Sequence, residues 1–135
     1  MSKVQDMQSR LGIHLLTGNS PAGLRIETVF GLEHATAIVG ANFVKDFFAR
    51  IADVTGGRVS GYEKAARGAV DAALEELALK ARDLGANILL NVEIDTSAMG
   101  SSMVMASAYG TAAYAVEEAT DTESPPRYTH SQPLG

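Results

Sequence analysis

The residues best suited to chemistry surround a glycine pair near the middle of the chain. Gly56 and Gly57 precede Arg58, and Tyr62 and Glu63 follow shortly after. Backbone freedom, a fixed guanidinium and a nearby helix N-terminus are the parts of an anion-binding pocket. The same residues also suit a structural role, in which Arg58 pairs with a carboxylate such as Glu63 across a subunit boundary and Tyr62 packs beside them. We favour the interface role, because arginine and tyrosine are enriched in interface anchors.

Asn42 is the fourth member of this candidate set. It is the predicted N-cap of the helix that ends at the glycine pair, and we group it with Arg58, Tyr62 and Glu63 as ligand-binding or interface residues. Ser60, Tyr62 and Glu63 supply a hydroxyl, a phenol and a carboxylate, but nucleophilic catalysis also needs a base that a third group orients. The sequence therefore assigns no catalytic residue, and an enzyme is the less favoured class.

Two carboxylates, Glu93 and Asp95, are the candidates for a divalent metal. At two-residue spacing on a strand they lie on one face, together with Asn91. Their hard oxygen atoms suit Mg, Ca or Mn if a second subunit supplies further ligands. The simpler interpretation, which we favour, is a solvated strand face.

Ligands for soft metals are scarce. Cysteine is absent, which excludes disulfides, thiolate nucleophiles and thiolate zinc sites. The three histidines, which show no paired spacing, are His14, His34 and His130. Met99, Met103 and Met105 form a cluster of thioethers, the ligand type that suits Cu(I). Methionine more often fills irregular gaps in a core or an interface, so a Cu(I) site is the minor interpretation.

Composition predicts one soluble domain. With 135 residues, of which 46% are hydrophobic and 20% charged, the chain is large enough for one compact core. A net charge of -5 with scattered Lys and Arg argues against nucleic-acid binding. The N-terminus lacks a signal-peptide pattern, and no apolar run reaches the length of a membrane span. We therefore expect a cytoplasmic protein that binds neither nucleic acid nor membrane.

Both termini are predicted to be flexible. Residues 1–10 are polar, and residues 117–135 are rich in acidic residues, Ser, Thr and Pro, so neither segment offers a hydrophobic face for a core. The folded domain is expected over 11–116. The tail could also serve as a recognition peptide for a partner, although solubility is the plainer explanation.

Hydrophobic periodicity predicts an α+β fold. The predicted order is strands near 11–16 and 24–39, helices at 42–54 and 60–84, and strands at 87–96 and 103–116. We expect a two-layer α/β sandwich, with one antiparallel sheet and two helices on one face. The residues predicted to face the helices from the penultimate strand are Ile88, Leu90, Val92 and Ile94. The predicted buried stripe of the second helix is Ala66, Val70, Ala73, Leu77, Ala81 and Leu84.

Several linked motifs resemble those of the YbjQ-like family, small bacterial and archaeal proteins that carry a heavy-metal-binding label. The motifs are GANFVKDFFARIADVTGGR, GYE, LGAN and GTAAYAVE, and the resemblance covers about 24–116. It implies a dodecin-like subunit that assembles into a ring-shaped homopentamer, and it implies no established reaction. Val70 stands where the family often has arginine, and Asn91 and Thr96 replace a common glycine and tyrosine.

Three functions follow from these observations. The favoured one is a non-enzymatic homo-oligomeric module that presents repeated copies of a surface for a small ligand, a metal or a partner. The second is a heavy-metal-binding protein, and the third is an enzyme that acts on a small anionic substrate near Arg58.

Overall fold

The computed structural model describes residues 2–40, 61–100 and 103–118, with only the backbone described for residues 61 and 62. The elements are α1 (Lys3–Leu11), β1 (His14–Leu15), β2 (Leu24–Gly40), α2 (Gly61–Leu84), β3 (Ile88–Met99) and β4 (Met103–Glu117). The predicted α+β class is confirmed. The predicted helix at 42–54 lies outside the described residues, as do the glycine pair and the tail from residue 119.

The four strands form one mixed sheet in the order β1-β3-β4-β2. Both β2 and β3 run antiparallel to β4, but β1 runs parallel to β3, with His14 opposite Ile88. The prediction of a purely antiparallel sheet is therefore wrong for its first strand. Strand β2 and helix α2 lie between β1 and β3 in the chain, so no hairpin turn imposes an antiparallel direction on this pair.

Helix α1 was not predicted, because its polar composition suggested a flexible segment through residue 10. Ser2 and Gln5 form a reciprocal capping box at its start, and the N–H of Gly12 donates to the Gln8 carbonyl at its end. Met7 is only 2% exposed and belongs to the main core, which includes residues of α2. Three apolar side chains at helical spacing, with Leu11 and Val4 beside Met7, are thus enough to hold the segment on the domain.

Helix α2 confirms the predicted second helix and its end. Gly85 has φ 99°, and its N–H donates to the Arg82 carbonyl while the N–H of Ala86 donates to the Ala81 carbonyl. This pair of bonds is the Schellman motif that glycine favours. The buried side chains of the helix are Ala65, Ala69, Ala73, Leu74, Leu77, Ala78 and Ala81. They follow a four-residue spacing, so Leu84 falls off the stripe and is exposed, contrary to prediction.

Strand β3 contains a β-bulge at Asn91, whose φ is 52°. The bulge reverses the alternation of faces, so that Leu89 and Val92 both join the core that contains α2. Ile88 and Leu90 instead join a second apolar cluster. The prediction that these two residues face the helices is therefore wrong, because a one-residue insertion moves every earlier side chain of the strand to the other face.

The contact between α2 and β4 is built from small side chains. Ala106, Ala108 and Ala112 of β4 are fully buried in the same core as the alanines of α2. As predicted from the small residues at even positions of the last strand, this surface lets a helix approach closely. Helix α2 also packs on β2, where Ala35 is buried opposite Ala108.

Candidate functional site

At one end of the sheet, the side away from α2 is uncovered across β2, β4 and β3 in the described part of the chain. Val104, Ala106 and Ala108 of β4 point into the core, so the alternate residues of the strand point the other way. We call this surface the open face. It consists of four cross-strand rows, each written in the order β2, β4, β3. The rows are His34, Tyr109 and Glu93; Thr36, Ser107 and Asp95; Ile38, Met105 and Ser97; and Gly40, Met103 and Met99.

The first two rows are polar. The Tyr109 hydroxyl donates to Glu93 Oε1 over 3.3 Å, and the hydroxyl oxygens of Thr36 and Ser107 are 3.2 Å apart. Asp95 lies opposite Ser107, two residues from Glu93 on the same side of β3. These groups form a hydrogen-bonding surface with two negative charges.

The pKa of Tyr109 is raised above its ordinary value, chiefly by the charge of Glu93 and then by that of Asp95. Nearby negative charge disfavours the tyrosinate form. The phenol therefore stays protonated at neutral pH and acts as a hydrogen-bond donor. It is poorly suited to act as a general base.

Glu93 and Asp95 share the face of β3 away from the helices, as the sequence predicted. Among the described residues, no group of three or more His, Asp or Glu side chains is placed to hold a metal ion. His34 lies in the same row as Glu93, yet β4 separates the two, a distance of about 10 Å between strand axes. A role of these carboxylates in binding a divalent metal stays a prediction.

Of the four residues predicted as a ligand or interface set, two lie in the described part of the chain. Asn42 and Arg58 lie outside it. Tyr62 and Glu63 occupy the first turn of α2, where the Glu63 side chain is exposed. Their proposed functional role therefore stays a prediction.

A shallow cavity of about 310 Å³ lies on α2 and is lined by Ala66, Arg67, Val70 and Asp71. Burial raises the pKa of Asp71, and the positive charge of Lys3 on α1 partly offsets this effect. The cavity combines one cation, one carboxyl group and two small apolar side chains. Val70 is also the position at which the sequence departs from the expected arginine.

Tyr109, Ser107 and Thr36 were missed as members of a site. The signal that could have found them is the register of the β3–β4 hairpin, in which Met99 lies opposite Met103. Three steps of two residues along each strand from that pair lead to Tyr109 opposite Glu93. Sequence periodicity correctly predicted the face of Glu93 and Asp95, but it did not predict the pairing between strands.

Comparison with known proteins places this arrangement in a family. Residues 13–116 match the family described as "Putative heavy-metal-binding". The chain belongs to the YbjQ-like family. The match begins just before β1 and ends one residue before the end of β4, so it spans every strand of the sheet.

Relatives of the YbjQ-like chain include two bacterial proteins, each named "UPF0145 protein". The protein from Anoxybacillus flavithermus is 41% identical over 96 residues, which cover 71% of this chain and 91% of the relative. The protein from Carboxydothermus hydrogenoformans is 36% identical over 100 residues, covering 74% and 94% respectively. A solved structure from Pediococcus pentosaceus, a DUF74-family protein of unknown function, covers 76% of this chain and 97% of its own, with TM-score 0.49 and 16% identity.

None of the helices that the structure describes in this YbjQ-like chain is both long and apolar enough to cross a membrane. Helix α2 is the longest of them, with 24 residues, and it carries charged side chains along its length.

Proposed function

We propose that this protein is a non-enzymatic, ring-shaped homopentamer that presents repeated copies of its open face to a small ligand, a metal or a partner. The observation that carries the proposal is a row of exposed aliphatic side chains on β2. Val29, Leu32 and Ile38 are 62%, 71% and 52% exposed. All three lie on the side of the sheet away from α2, because their partners on β4 are Ala113, Thr111 and Met105.

The two edges of the sheet support the same conclusion. In the described part of the chain, β2 has a strand neighbour on one side only, and β3 has none beyond β4 from Glu93 to Met99. Unpaired edges of this length are usually covered or blocked in native proteins. A second copy that covers the β2 edge would also bury part of the aliphatic row on that strand.

The position of the two edges permits the head-to-tail contact that a ring requires. They lie on opposite sides of one sheet, and β2 and β3 run in the same direction because each is antiparallel to β4. If β2 of one copy pairs with β3 of the next, the contact is head-to-tail, and such contacts close into rings when the rotation permits. The number five comes from the family resemblance.

Light scattering coupled to size-exclusion chromatography of the full chain tests the assembly. We expect a mass about five times the 14.2 kDa of one subunit at micromolar concentration. A stable monomer at that concentration contradicts the proposal. A different closed ring would preserve the head-to-tail interface and correct the subunit number.

No observation on the described residues favours catalysis over binding. The open face has hydrogen-bond donors and acceptors but no nucleophile with an oriented base. A role of the C-terminal tail in partner binding stays a separate prediction. A pull-down with and without residues 119–135 tests it, and an unchanged set of partners would favour a role in solubility alone.

A further inference from the structure

We propose that Met99, Met103 and Met105 form a binding site for one soft monovalent metal ion, Cu(I) or Ag(I). The three thioethers lie on the open face at the β3–β4 end of the sheet. The inference is independent of the proposed assembly, because all three side chains come from one chain.

The register of the hairpin brings the three side chains together. Met99 lies directly opposite Met103, and Met105 follows two residues later on β4. Between them Val104 is 1% exposed and points into the core, so Met103 and Met105 share the opposite face. Directly opposed residues have Cβ atoms about 4.5–5.5 Å apart, and diagonal neighbours are about 7–8 Å apart. Methionine has three rotatable bonds, which allows the three sulfur atoms to converge on one ion.

Exposure separates these methionines from ordinary core residues. Met99 and Met103 are 40% and 38% exposed, whereas Met7, which does fill the core, is 2% exposed. Gly40 lies opposite Met103 on the β2 side and carries no side chain that could cover it. Met99 and Met103 therefore do not fill the core in the described part of the chain.

The surroundings of the cluster select for a soft ion of low charge. Ile38 and Ser97 are the cross-strand neighbours of Met105, and neither adds a negative charge to the site. Thioethers are neutral, polarizable ligands that suit Cu(I), whereas Mg and Ca require several hard oxygen ligands. The carboxylate of Asp95 lies in the next row, diagonal to Met105, so titration with Zn(II) also tests whether this carboxylate takes part in binding.

An exposed methionine cluster can also serve as an adaptable surface for an apolar peptide. The metal site is the stronger inference, because the register makes the three methionines directly opposed or diagonal neighbours. Among their cross-strand neighbours in the described part of the chain, Ile38 is the one large aliphatic side chain. Peptide docking would tolerate leucine at these positions, since leucine retains the bulk of methionine. Metal binding would not tolerate it, since leucine has no sulfur.

The test is a silver titration of the full chain, followed by NMR of the methionine ε-methyl groups. The chain has five methionines, so single Met→Leu variants assign each signal. We expect the signals of Met99, Met103 and Met105 to shift together and to saturate at one Ag(I) per chain, while that of Met7 stays in place. Isothermal titration should show loss of this binding in the triple variant M99L/M103L/M105L.

Two controls make the result decisive. The variant Met7→Leu removes a thioether of the core and should bind Ag(I) as the wild type does. Zn(II), a harder ion, should leave the three signals unchanged. Undiminished one-to-one binding of Ag(I) by the triple variant would overturn the proposal, and so would a Zn(II)-induced shift of the same three signals.

Discussion

The hydroxyl of Tyr109 on β4 donates a hydrogen bond to the Glu93 carboxylate on β3, in a row of the sheet where Asp95 adds a second negative charge. This relationship links the central strand of the sheet to an edge strand that has no other strand neighbour at this point among the described residues. Because Tyr109 can ionise, the polar part of the open face is also sensitive to alkaline pH.

Tyr109 should ionise at a higher pH than an ordinary tyrosine. Glu93 and Asp95 raise its pKa above 10.0, because the tyrosinate would carry a third negative charge. A pH titration of tyrosinate absorbance, compared between wild type and Tyr109→Phe, isolates this group among four tyrosines. Glu93→Gln should return the pKa toward its ordinary value, and an unchanged titration in that variant would contradict the interpretation.

The raised pKa of Tyr109 determines how this residue changes the stability of the fold with pH. A pKa that is higher in the folded than in the unfolded state means that the folded state binds the proton more tightly. The contribution of Tyr109 to stability is therefore complete below pH 10 and is lost as the pH rises above that value. Denaturant unfolding across this range should show a smaller alkaline loss of stability in Tyr109→Phe than in the wild type.

Leu32→Glu should weaken assembly without unfolding the subunit. Leu32 is 71% exposed on the open side of β2, so glutamate is tolerated in an isolated subunit but opposes burial against a second copy. Light scattering should show a lower mass than for the wild type. Thr28→Glu is the matched control, because Thr28 is exposed on the same strand but lies opposite Tyr114, on the side of the sheet that faces α2. Equal masses for the two variants would contradict a role of the aliphatic row.

Gly110→Ala should destabilise the fold by about 1–3 kcal/mol through overpacking. An added Cβ would lie 3.1 Å from both the Leu90 carbonyl oxygen and a methyl group of Val92, next to the bulge at Asn91. Urea unfolding measures the loss. Gly18→Ala is the control, because the added atom meets open space and the change should be close to neutral. A similar loss of stability in both variants would show that crowding at Gly110 is not the cause.

Met7→Ala should cost about 2–5 kcal/mol of unfolding free energy, as truncations of buried methionine do. Met7 is 2% exposed between α1 and the rest of the core. Met7→Leu keeps the volume and should cost less than about 1.5 kcal/mol. Urea unfolding of both variants measures how firmly α1 is integrated, and a neutral alanine variant would mean that the helix contributes little to stability.

Sequence reasoning succeeded where one element carries its own signal. The alanine and leucine spacing of 61–84 predicted α2, and Gly85 marked its end, because both depend on residues close in sequence. The pairing of Glu93 and Asp95 on one face followed from strand alternation alone. The match of motifs along the chain was also enough to predict the family.

The errors arose where structure depends on contacts between distant segments. The bulge at Asn91 leaves no mark in hydrophobic periodicity, since the residue is polar and lies between apolar neighbours. Helix α1 depends on Met7 reaching a core that other segments build, and its own composition is mostly polar. Tyr109 joins the candidate site only through its register with β3, which no single strand reveals.

The alanine contact between α2 and β4 constrains how this protein can diverge. Alanine loses no rotamer freedom when it is buried, so forming this contact costs little side-chain entropy. It also has no room for variation, because a larger residue overpacks the contact and glycine loosens the backbone of the helix or strand. We therefore expect sequence drift to concentrate on the open face, where new binding preferences can arise while the packed layer beneath keeps its composition.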